Sequence, residues 1–273
     1  MTAALRPELD DPFGGSETAE RVDALVRRLP DVDLASLESG AALLTRIDRK
    51  YVVPVATLER LVTALGEGWL ALDIDGRRLF GYTSTYFDTP DLATYRAHLQ
   101  ARRRRFKVRV RQYDESGLCM LEVKRKSLRG LTVKERTPHP LHGQAELGES
   151  GQRFVAESVA GHAPVPEAAF GPVVTTRNRR ATLVHLASQS RVTVDADLRC
   201  GWGAEAIALR EGYVVLESKV GGHASEVDRA LRSLGERPVA ISKYCIGVAS
   251  LGLDVPTNPW RRTLRRFFET PTT

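Results

Sequence analysis

Cysteine is scarce in this sequence and long apolar runs are missing, and both facts rule out classes of protein. The three cysteines, Cys119, Cys200 and Cys245, are far apart and form no CxxC pair. Neither a disulfide framework nor a zinc-binding cysteine cluster is therefore expected. No apolar segment approaches the roughly 20 residues that a membrane-spanning helix needs, and no N-terminal signal sequence is recognisable. We expect a cytoplasmic protein.

Three common catalytic motifs are also missing. The sequence contains no GxxxxGK[ST], no GxSxG and no HExxH, so P-loop nucleotide hydrolases, esterases of the α/β-hydrolase type and zincin proteases are not indicated. What the chain does contain is an excess of positive charge, with a formal net charge of +6. This charge is compatible with nucleic acid, anionic lipid or a small polyphosphate as partner.

Alternating apolar and polar residues predict a sheet-rich fold. Strands are predicted at 43–53, 69–74, 79–87, 104–113, 117–126, 130–137, 173–185, 191–198, 204–210, 212–220 and 241–250. Helical spacing predicts short helices at 19–29, 57–66, 91–101, 151–161 and 225–235. Short turns with Gly or Asp connect several strands, as in β-hairpins, so the sheet should be mostly antiparallel and strongly curved or closed.

The predicted strand RFKVRVRQY (105–113) has one apolar face and one cationic face. Lys107, Arg109 and Arg111 alternate with apolar residues, as in a strand with one buried side. The next two strands continue the cationic face with these residues: Glu122, Lys124 and Lys126 in LCMLEVKRK, then Thr132, Lys134 and Arg136 in LTVKER. Consecutive hairpins would place the three faces side by side.

Three adjacent cationic strands favour a site for a polyanion. A solvated outer face is the ordinary explanation for one such strand, but like charges on neighbouring strands repel each other and a shared anion removes that repulsion. The charged positions of these strands include no aromatic residue, whereas nucleic-acid-binding surfaces usually carry some for base stacking. A phosphate-rich small anion therefore fits better than DNA or RNA, and no nucleic-acid partner is expected.

Later strands add carboxylates to the same pattern. The residues that share charged faces there are Arg191, Thr193, Asp195 and Asp197 in RVTVDAD, Glu217 and Lys219 in VVLESKV, Arg177 and Arg179 in TTRNRRATLV, and Lys243 in ISKYCIG.

The segments RIDRKYVV, STYFDTPDL, FKVRVRQY, LEVKRK, VKER, VTVDADL, VLESK and SKYCIGV occur in the order seen in a known family. Together they resemble the VTC domain, the polyphosphate polymerase domain of the triphosphate tunnel metalloenzyme superfamily, over residues 40–252. The resemblance implies an α+β fold, in which an antiparallel β-barrel forms a basic tunnel with flanking helices. An N-terminal leader with a short helix (1–39) would precede it, and a basic tail or short helix (253–273) would follow.

The resemblance implies an enzyme, an ATP-dependent polyphosphate polymerase that uses a divalent metal, Mn²⁺ or Mg²⁺. It would transfer the γ-phosphoryl group of ATP to a growing polyphosphate chain. Catalytic roles are implied for Lys50, Arg109, Arg111, Lys124, Arg191, Glu217 and Lys243, with Glu217 as metal ligand. Substrate-binding roles are implied for Lys107, Lys126, Lys134, Arg136, Arg179 and Lys219. Arg179 is taken from the run RNRR (177–180), which offers neighbouring arginines as alternatives.

The first predicted strand favours a polymerase over a hydrolase. Hydrolysing members of the superfamily carry two glutamates ahead of a lysine, whereas here only Asp48 precedes Lys50. An attacking water needs a base, but the terminal phosphate of a chain is already ionised at neutral pH. A hydrolase of triphosphate or tripolyphosphate, with Asp48, Glu122 or Asp195 activating water, stays an alternative. So does a non-catalytic module that binds polyphosphate or nucleotide.

The expected partners are ATP and polyphosphate, and a membrane protein is a further candidate. The basic segment NPWRRTLRRFFE (258–269) is predicted to form a helix that covers one end of the barrel, with docking on a membrane surface or a partner as the alternative. The sequence does not set the oligomeric state.

Overall fold

One long, curled sheet forms the body of the structure, a computed structural model that describes residues 15–39, 47–126, 132–143, 145–202, 205–220 and 225–270. The strands are β1 (Asp31–Val32), β2 (Ile47–Pro54), β3 (Trp69–Leu72), β4 (Phe80–Asp88), β5 (Arg105–Tyr113), β6 (Cys119–Lys126), β7 (Thr132–Pro138), β8 (Gly171–His185), β9 (Ser190–Trp202), β10 (Glu205–Leu209), β11 (Tyr213–Val220) and β12 (Phe268–Glu269). The helices are α1 (Glu17–Val26), α2 (Leu34–Ser39), α3 (Val55–Ala64), α4 (Ala93–Leu99), α5 (Gly148–Val159), α6 (Glu226–Ser233), α7 (Lys243–Ser250) and α8 (Asn258–Phe267).

The sheet is antiparallel along its main path but does not close into a barrel. Neighbouring strands follow the order β2-β11-β9-β8-β4-β5-β6-β7. Among the described residues, the end strands β2 and β7 do not pair with each other. The prediction of an antiparallel sheet with flanking helices is confirmed, whereas the closed barrel is corrected to a curled sheet. The backbone of Val239, which donates to the Lys50 carbonyl at 2.7 Å, covers part of the β2 edge instead.

Helices cover the outer face of the curl and leave the charged face inside. Helices α1, α3 and α6 pack on the outer side of β2, β8, β9 and β11, where Leu58, Leu61 and Leu216 are fully buried. Helix α5 packs in the same way on β5 and β6 through Val155 and Val159. Because successive side chains of a strand point to opposite faces, covering the apolar face on the outside turns the charged residues inward.

The segment predicted as a strand at 241–250 is the helix α7. Its residues Tyr244, Cys245, Ile246 and Val248 are all buried, and a short apolar run of this kind does not distinguish a buried strand from a buried helix. Ser242 caps the helix, since its side chain accepts a hydrogen bond from the Cys245 backbone at 3.3 Å. The prediction of a strand there is wrong because tertiary packing on both sides of the segment favours a helix.

The C-terminal segment forms the predicted helix, α8, which packs on α7 and β12. Its apolar side chains Trp260 and Phe267 are buried together with Phe268, while its arginines face solvent. Among the described helices, none combines the length and apolar character needed to span a membrane. The predicted leader is described only from residue 15 onward, where α1 packs against the core.

Candidate functional site

The register of β5, β6 and β7 places their cationic residues on one face, as predicted. Lys107 lies opposite Lys124, and Lys124 lies opposite Lys134. One step further along the strands, Glu122 lies between Arg109 and Arg136. This row across three strands confirms that the hairpins align their charged faces.

The curl of the sheet brings β2, β9 and β11 across from these strands. On β11, Glu217 lies opposite Lys50 of β2 and opposite Thr193 of β9. The strands β5, β6 and β7 approach the strands β2, β9 and β11 where Lys124 Nζ lies 3.4 Å from Asp48 Oδ2. We call the concave side that carries these residues the inner face, and the space that it encloses the basic passage.

The N-terminus of α7 closes one side of the basic passage. Lys107 Nζ donates to Ser242 Oγ at 2.7 Å, and Lys50 Nζ donates to the carbonyl of Ile241 at 3.3 Å. Lys243, the first residue of α7, also points inward, since its Nζ lies 2.9 Å from Asp195 Oδ2. Residues from β2, β5, β9 and α7 therefore converge on one space.

Glu217 is a carboxylate of the inner face that lies between Lys50 of β2 and Thr193 of β9. Its Oε2 lies 3.2 Å from Lys219 Nζ. Burial would raise the pKa of Glu217, but the nearby charges of Lys219, Lys50, Lys124 and Arg180 hold that pKa well below its usual range. Glu217 is therefore ionised at neutral pH and can accept a cation or a hydrogen-bond donor.

Glu122 is a counter-ion for three cations of the passage. It is 1% exposed, and it accepts hydrogen bonds from Arg109 Nε at 2.7 Å and Lys134 Nζ at 2.9 Å. Arg111 Nε lies 4.0 Å away. Burial would raise the pKa of Glu122, but these cations hold it well below its usual range. The carboxylate therefore orients the two arginines of β5.

Asp195, which the sequence offered only as an alternative activator of water, organises a second ion cluster that includes two residues not assigned from the sequence, Asn178 and Arg180. Arg180 donates to both of its oxygens, at 2.6 and 2.8 Å, and Asn178 donates at 3.0 Å. Lys243 is the second cation of this cluster, and it also donates to the Asn178 side chain. The bidentate geometry fixes the guanidinium of Arg180 on the inner face. Tyr82 lies beside it, with its ring centroid 5.3 Å from the guanidinium carbon.

The structure places Arg179 away from this cluster, so its assignment to the site is corrected. Adjacent residues of a strand point to opposite faces, and the Arg179 guanidinium lies 3.9 Å from Asp197 instead. Arg180 takes the inner position that the sequence assigned to Arg179. The motif RNRR offers arginines on both faces, and only the pairing of β8 with β9, which shifts between Arg177 and Arg179, distinguishes them.

The remaining predicted residues have these surroundings. Arg111 is buried beside Ser84, whose Oγ accepts from its Nε at 3.3 Å. Arg191 lies opposite Lys219, and its Nη2 donates to the Leu37 carbonyl at 3.4 Å. Lys126 donates to Thr132 at 3.3 Å, and Arg136 is exposed at the β7 edge. These positions share the predicted face.

Burial, together with repulsion from nearby cations, lowers the pKa of several lysines in the passage. Burial is the largest cause for Lys107, Lys219 and Lys243, and it lowers the pKa of each to about 8. Nearby cations add to the effect, and for Lys107 they include Lys50 and Lys124. These ammonium groups are charged at neutral pH at a free-energy cost that a bound anion would reduce.

The donor set fits a divalent metal that is shared with a phosphate ligand. Among the described residues, no three acidic, histidine or cysteine side chains are grouped closely enough to hold a metal alone. Glu217 is ionised, and its ion pair within the described part of the chain is with Lys219. Hard divalent ions such as Mg²⁺ are commonly bound by one or two carboxylates together with substrate phosphates. Glu217 can therefore anchor a metal whose remaining ligands are phosphate oxygens and water.

Several solved structures resemble this chain at low sequence identity. A putative adenylyl cyclase from Hippeastrum, HpAC1, described as having a dominant triphosphatase activity, is 16% identical with a TM-score of 0.46, and the match covers 77% of this chain and 98% of that one. A putative adenylate cyclase from Vibrio parahaemolyticus is 12% identical with a TM-score of 0.39, covering 70% and 87%. The Pct1 RNA triphosphatase from S. pombe is 9% identical with a TM-score of 0.28, covering 76% and 86%.

Comparison of the sequence with models of protein families identifies the family of this chain. No curated protein matches the chain, but the family model of the VTC domain matches residues 45–252. This range contains the whole inner face described above and confirms the resemblance found in the sequence. Because the model spans most of its length, the chain belongs to the VTC domain family.

Proposed function

We propose that this protein is a metal-dependent polyphosphate polymerase, which transfers the γ-phosphoryl group of ATP to the end of a polyphosphate chain inside the basic passage. One observation carries the proposal. Among the described residues of the inner face, cations outnumber carboxylates, and each carboxylate already lies within ion-pair distance of a lysine or arginine. The carboxylates are Asp48, Glu122, Asp195 and Glu217. A polymer with a charge on every unit compensates the remaining cations along the whole passage.

The lowered pKa values of the buried carboxylates support transfer of the phosphoryl group to phosphate rather than to water. A general base is most effective when its pKa lies near the working pH. The cations around Glu122 and Asp195 overcome the effect of burial and hold the pKa of both well below the usual range, so both are poor proton acceptors. The terminal phosphate of a polyphosphate chain is already ionised and needs only to be guided by cations. The inner face is therefore suited to a phosphate acceptor.

Arg109 and Arg111 are suited to hold the phosphates of the nucleotide. Arginine stays protonated and offers two parallel N–H donors to phosphate oxygens. Glu122 fixes the Arg109 guanidinium at 2.7 Å, and the hydroxyl of Tyr86 accepts from its Nη1 at 3.2 Å. This pre-organisation reduces the side-chain entropy lost when phosphate binds.

The transfer itself needs no proton acceptor. An oxygen of the terminal phosphate attacks the γ-phosphorus, a new P–O–P linkage forms, the bond from the γ-phosphorus to the bridging oxygen breaks, and ADP leaves with that oxygen. The cations of the inner face position the two anions in line and neutralise charge on the equatorial and leaving oxygens. Lys50, Lys124 and Lys219 are placed for this around Glu217. A divalent metal on Glu217, Mn²⁺ or Mg²⁺, would add further charge neutralisation at the phosphate oxygens.

The products formed from ATP in the presence of Mn²⁺ test the proposal. Long-chain polyphosphate together with ADP supports a polymerase. Release of orthophosphate would instead identify a hydrolase, and ATP binding without turnover would identify a non-catalytic module.

The variant Glu217→Gln tests the metal assignment. It keeps the shape of the side chain but removes its charge, so we expect turnover to fall by about a hundredfold or more while tripolyphosphate still binds. Glu149→Gln, at an exposed position of α5, is the matched control and should behave like the unmodified protein. Full activity of Glu217→Gln would refute the assignment.

A further inference from the structure

Four consecutive arginines, Arg102–Arg105, connect α4 to β5 and are not used by the site described above. Arg102, Arg103 and Arg104 are exposed. Arg102 Nε donates to Gln100 at 2.7 Å, and Arg105 Nη1 donates to the Arg102 carbonyl at 2.6 Å. Within the described ranges, none of the four forms an ion pair with a carboxylate. An ordinary protein surface mixes charges of both signs, so this run is unusual.

The run is continuous with the cationic rows of the basic passage. In the register of β5 and β6, Arg105 lies opposite Lys126, which is the next inward-facing pair beyond Lys107 and Lys124. Arg105 is also among the cations that, with burial as the larger cause, lower the pKa of Lys107. The positive potential of the inner face therefore extends without interruption to the arginines outside it.

A defined turn holds the run in place at this end of the passage. Ala101 has a φ of 51°, the left-handed conformation that commonly ends a helix. The Arg102 backbone N–H donates to the Ala97 carbonyl at 2.9 Å and closes the last turn of α4. The arginines consequently leave the helix in a fixed direction, next to the start of β5.

The length of the passage sets which ligands can reach these arginines. The nine residues of β5 extend over about 30 Å, which is longer than a triphosphate. A short ligand bound near Glu217 therefore stays inside the passage. A long polymer of phosphates must continue out of the passage, and beyond the start of β5 it would meet the exposed arginines.

We propose that Arg102–Arg105 form an outer binding site for the part of a long polyphosphate chain that lies outside the basic passage. The inference rests on the proposed function, because it takes polyphosphate to be the ligand of the passage. It adds that the protein should bind long chains more tightly than short ones through a surface distinct from the site of phosphoryl transfer.

The double variant Arg103→Gln/Arg104→Gln tests this site. Both side chains are exposed and have no ion pair or hydrogen bond with a described residue, so folding should be preserved. The control Arg261→Gln/Arg262→Gln removes the same charge from exposed positions of α8. Affinities for long-chain polyphosphate and for tripolyphosphate are measured with each purified full-length protein, without ATP. We expect the Arg103/Arg104 variant to bind the long chain about tenfold more weakly, with little change for tripolyphosphate or in the control.

The inference would be overturned by unchanged affinity of the Arg103/Arg104 variant for the long chain, by an equal loss for both ligands, or by an equal loss in the control. An equal loss of binding to a single-stranded RNA would also overturn it, because the run would then be a general polyanion surface. Failure of the proposed function is distinguishable, since a protein that makes no polyphosphate from ATP can still show the length-dependent binding. Conversely, an active polymerase whose Arg103/Arg104 variant binds long chains normally would refute only the outer site.

Discussion

Glu217 and Glu122 are both buried carboxylates of the inner face, but their neighbours give them different roles. Both oxygens of Glu122 accept hydrogen bonds from cations, at 2.7 and 2.9 Å, so its charge is neutralised by Arg109 and Lys134. Among the residues that the structure describes, Glu217 has one ion pair, at 3.2 Å to Lys219. A carboxylate with fewer protein donors is the better metal ligand, and this supports the proposal that Glu217 rather than Glu122 holds the metal.

Variants of Arg180 and Arg179 test which of the two arginines lies on the inner face of the sheet. Arg180→Gln removes a bidentate partner of Asp195 and leaves that buried carboxylate with less positive charge around it. We expect a loss of roughly 3 kcal/mol of unfolding free energy and a weaker affinity for tripolyphosphate. Arg179→Gln should weaken tripolyphosphate binding much less, since Arg179 lies on the opposite face and its ion pair with Asp197 is 3.9 Å long. Equal effects of the two variants on ligand affinity would contradict the placement.

The pKa of Lys107 predicts how ligand binding depends on pH. Burial and neighbouring cations lower this pKa to about 8, so the side chain loses its charge as the pH rises above that value. The charged form is the one that attracts phosphate, and affinity for tripolyphosphate should therefore fall between about pH 7 and pH 9. Lys107→Arg should flatten part of this decrease because arginine stays protonated. An affinity that does not change over this range would refute the prediction.

The packing of helix α7 against the sheet positions side chains of the basic passage. Gly247 lets the helix approach β8 and β9, because a Cβ at this position would lie 2.5 Å from Val174 Cγ2 and 3.4 Å from Cys200 Cβ. At the other side, the hydroxyl of Tyr244 donates to the buried carboxylate of Asp88. These contacts hold the N-terminal residues Ser242 and Lys243 against the inner face.

Gly247→Ala should therefore disturb the site from a distance. We expect it to destabilise the protein by about 1–3 kcal/mol, as overpacking of a core does, and to weaken tripolyphosphate binding because Lys243 moves. Gly171→Ala is the control, since a Cβ there meets nothing within 4 Å. Thermal unfolding and ligand titration of both variants check the prediction. A fully stable Gly247→Ala protein would show that α7 is less tightly packed than the contacts indicate.

The balance of charge across the protein predicts that anions stabilise the fold. Folding gathers the lysines and arginines of β2, β5, β6 and β11 around a small number of carboxylates, so part of the unfolding free energy is lost to repulsion. Tripolyphosphate at a hundred times its dissociation constant should add about 2.7 kcal/mol. For a chain of this length we expect Tm to rise by about 5–10 °C. Sodium chloride at equal ionic strength is the control, and an equal rise with that salt would contradict specific binding.

Local sequence patterns were sufficient to predict much of the fold and part of the site. Alternation of apolar and charged residues in 105–113 predicted which side chains share a face, because a strand has a period of two. Because β5, β6 and β7 pair as consecutive antiparallel neighbours, Lys107, Lys124 and Lys134 were correctly placed side by side. The cytoplasmic location and a membrane-protein partner stay predictions.

Contacts between distant segments determined the rest. The choice of Arg180 over Arg179, the ion cluster on Asp195 and the helical form of α7 depend on how β8, β9 and the segment after residue 241 pack together. The meeting of Lys124 with Asp48 likewise requires the curl of the sheet. Periodicity along a strand is a local property and says which face a residue occupies. Which faces approach each other depends on long-range pairing and burial, and no short stretch of sequence encodes those.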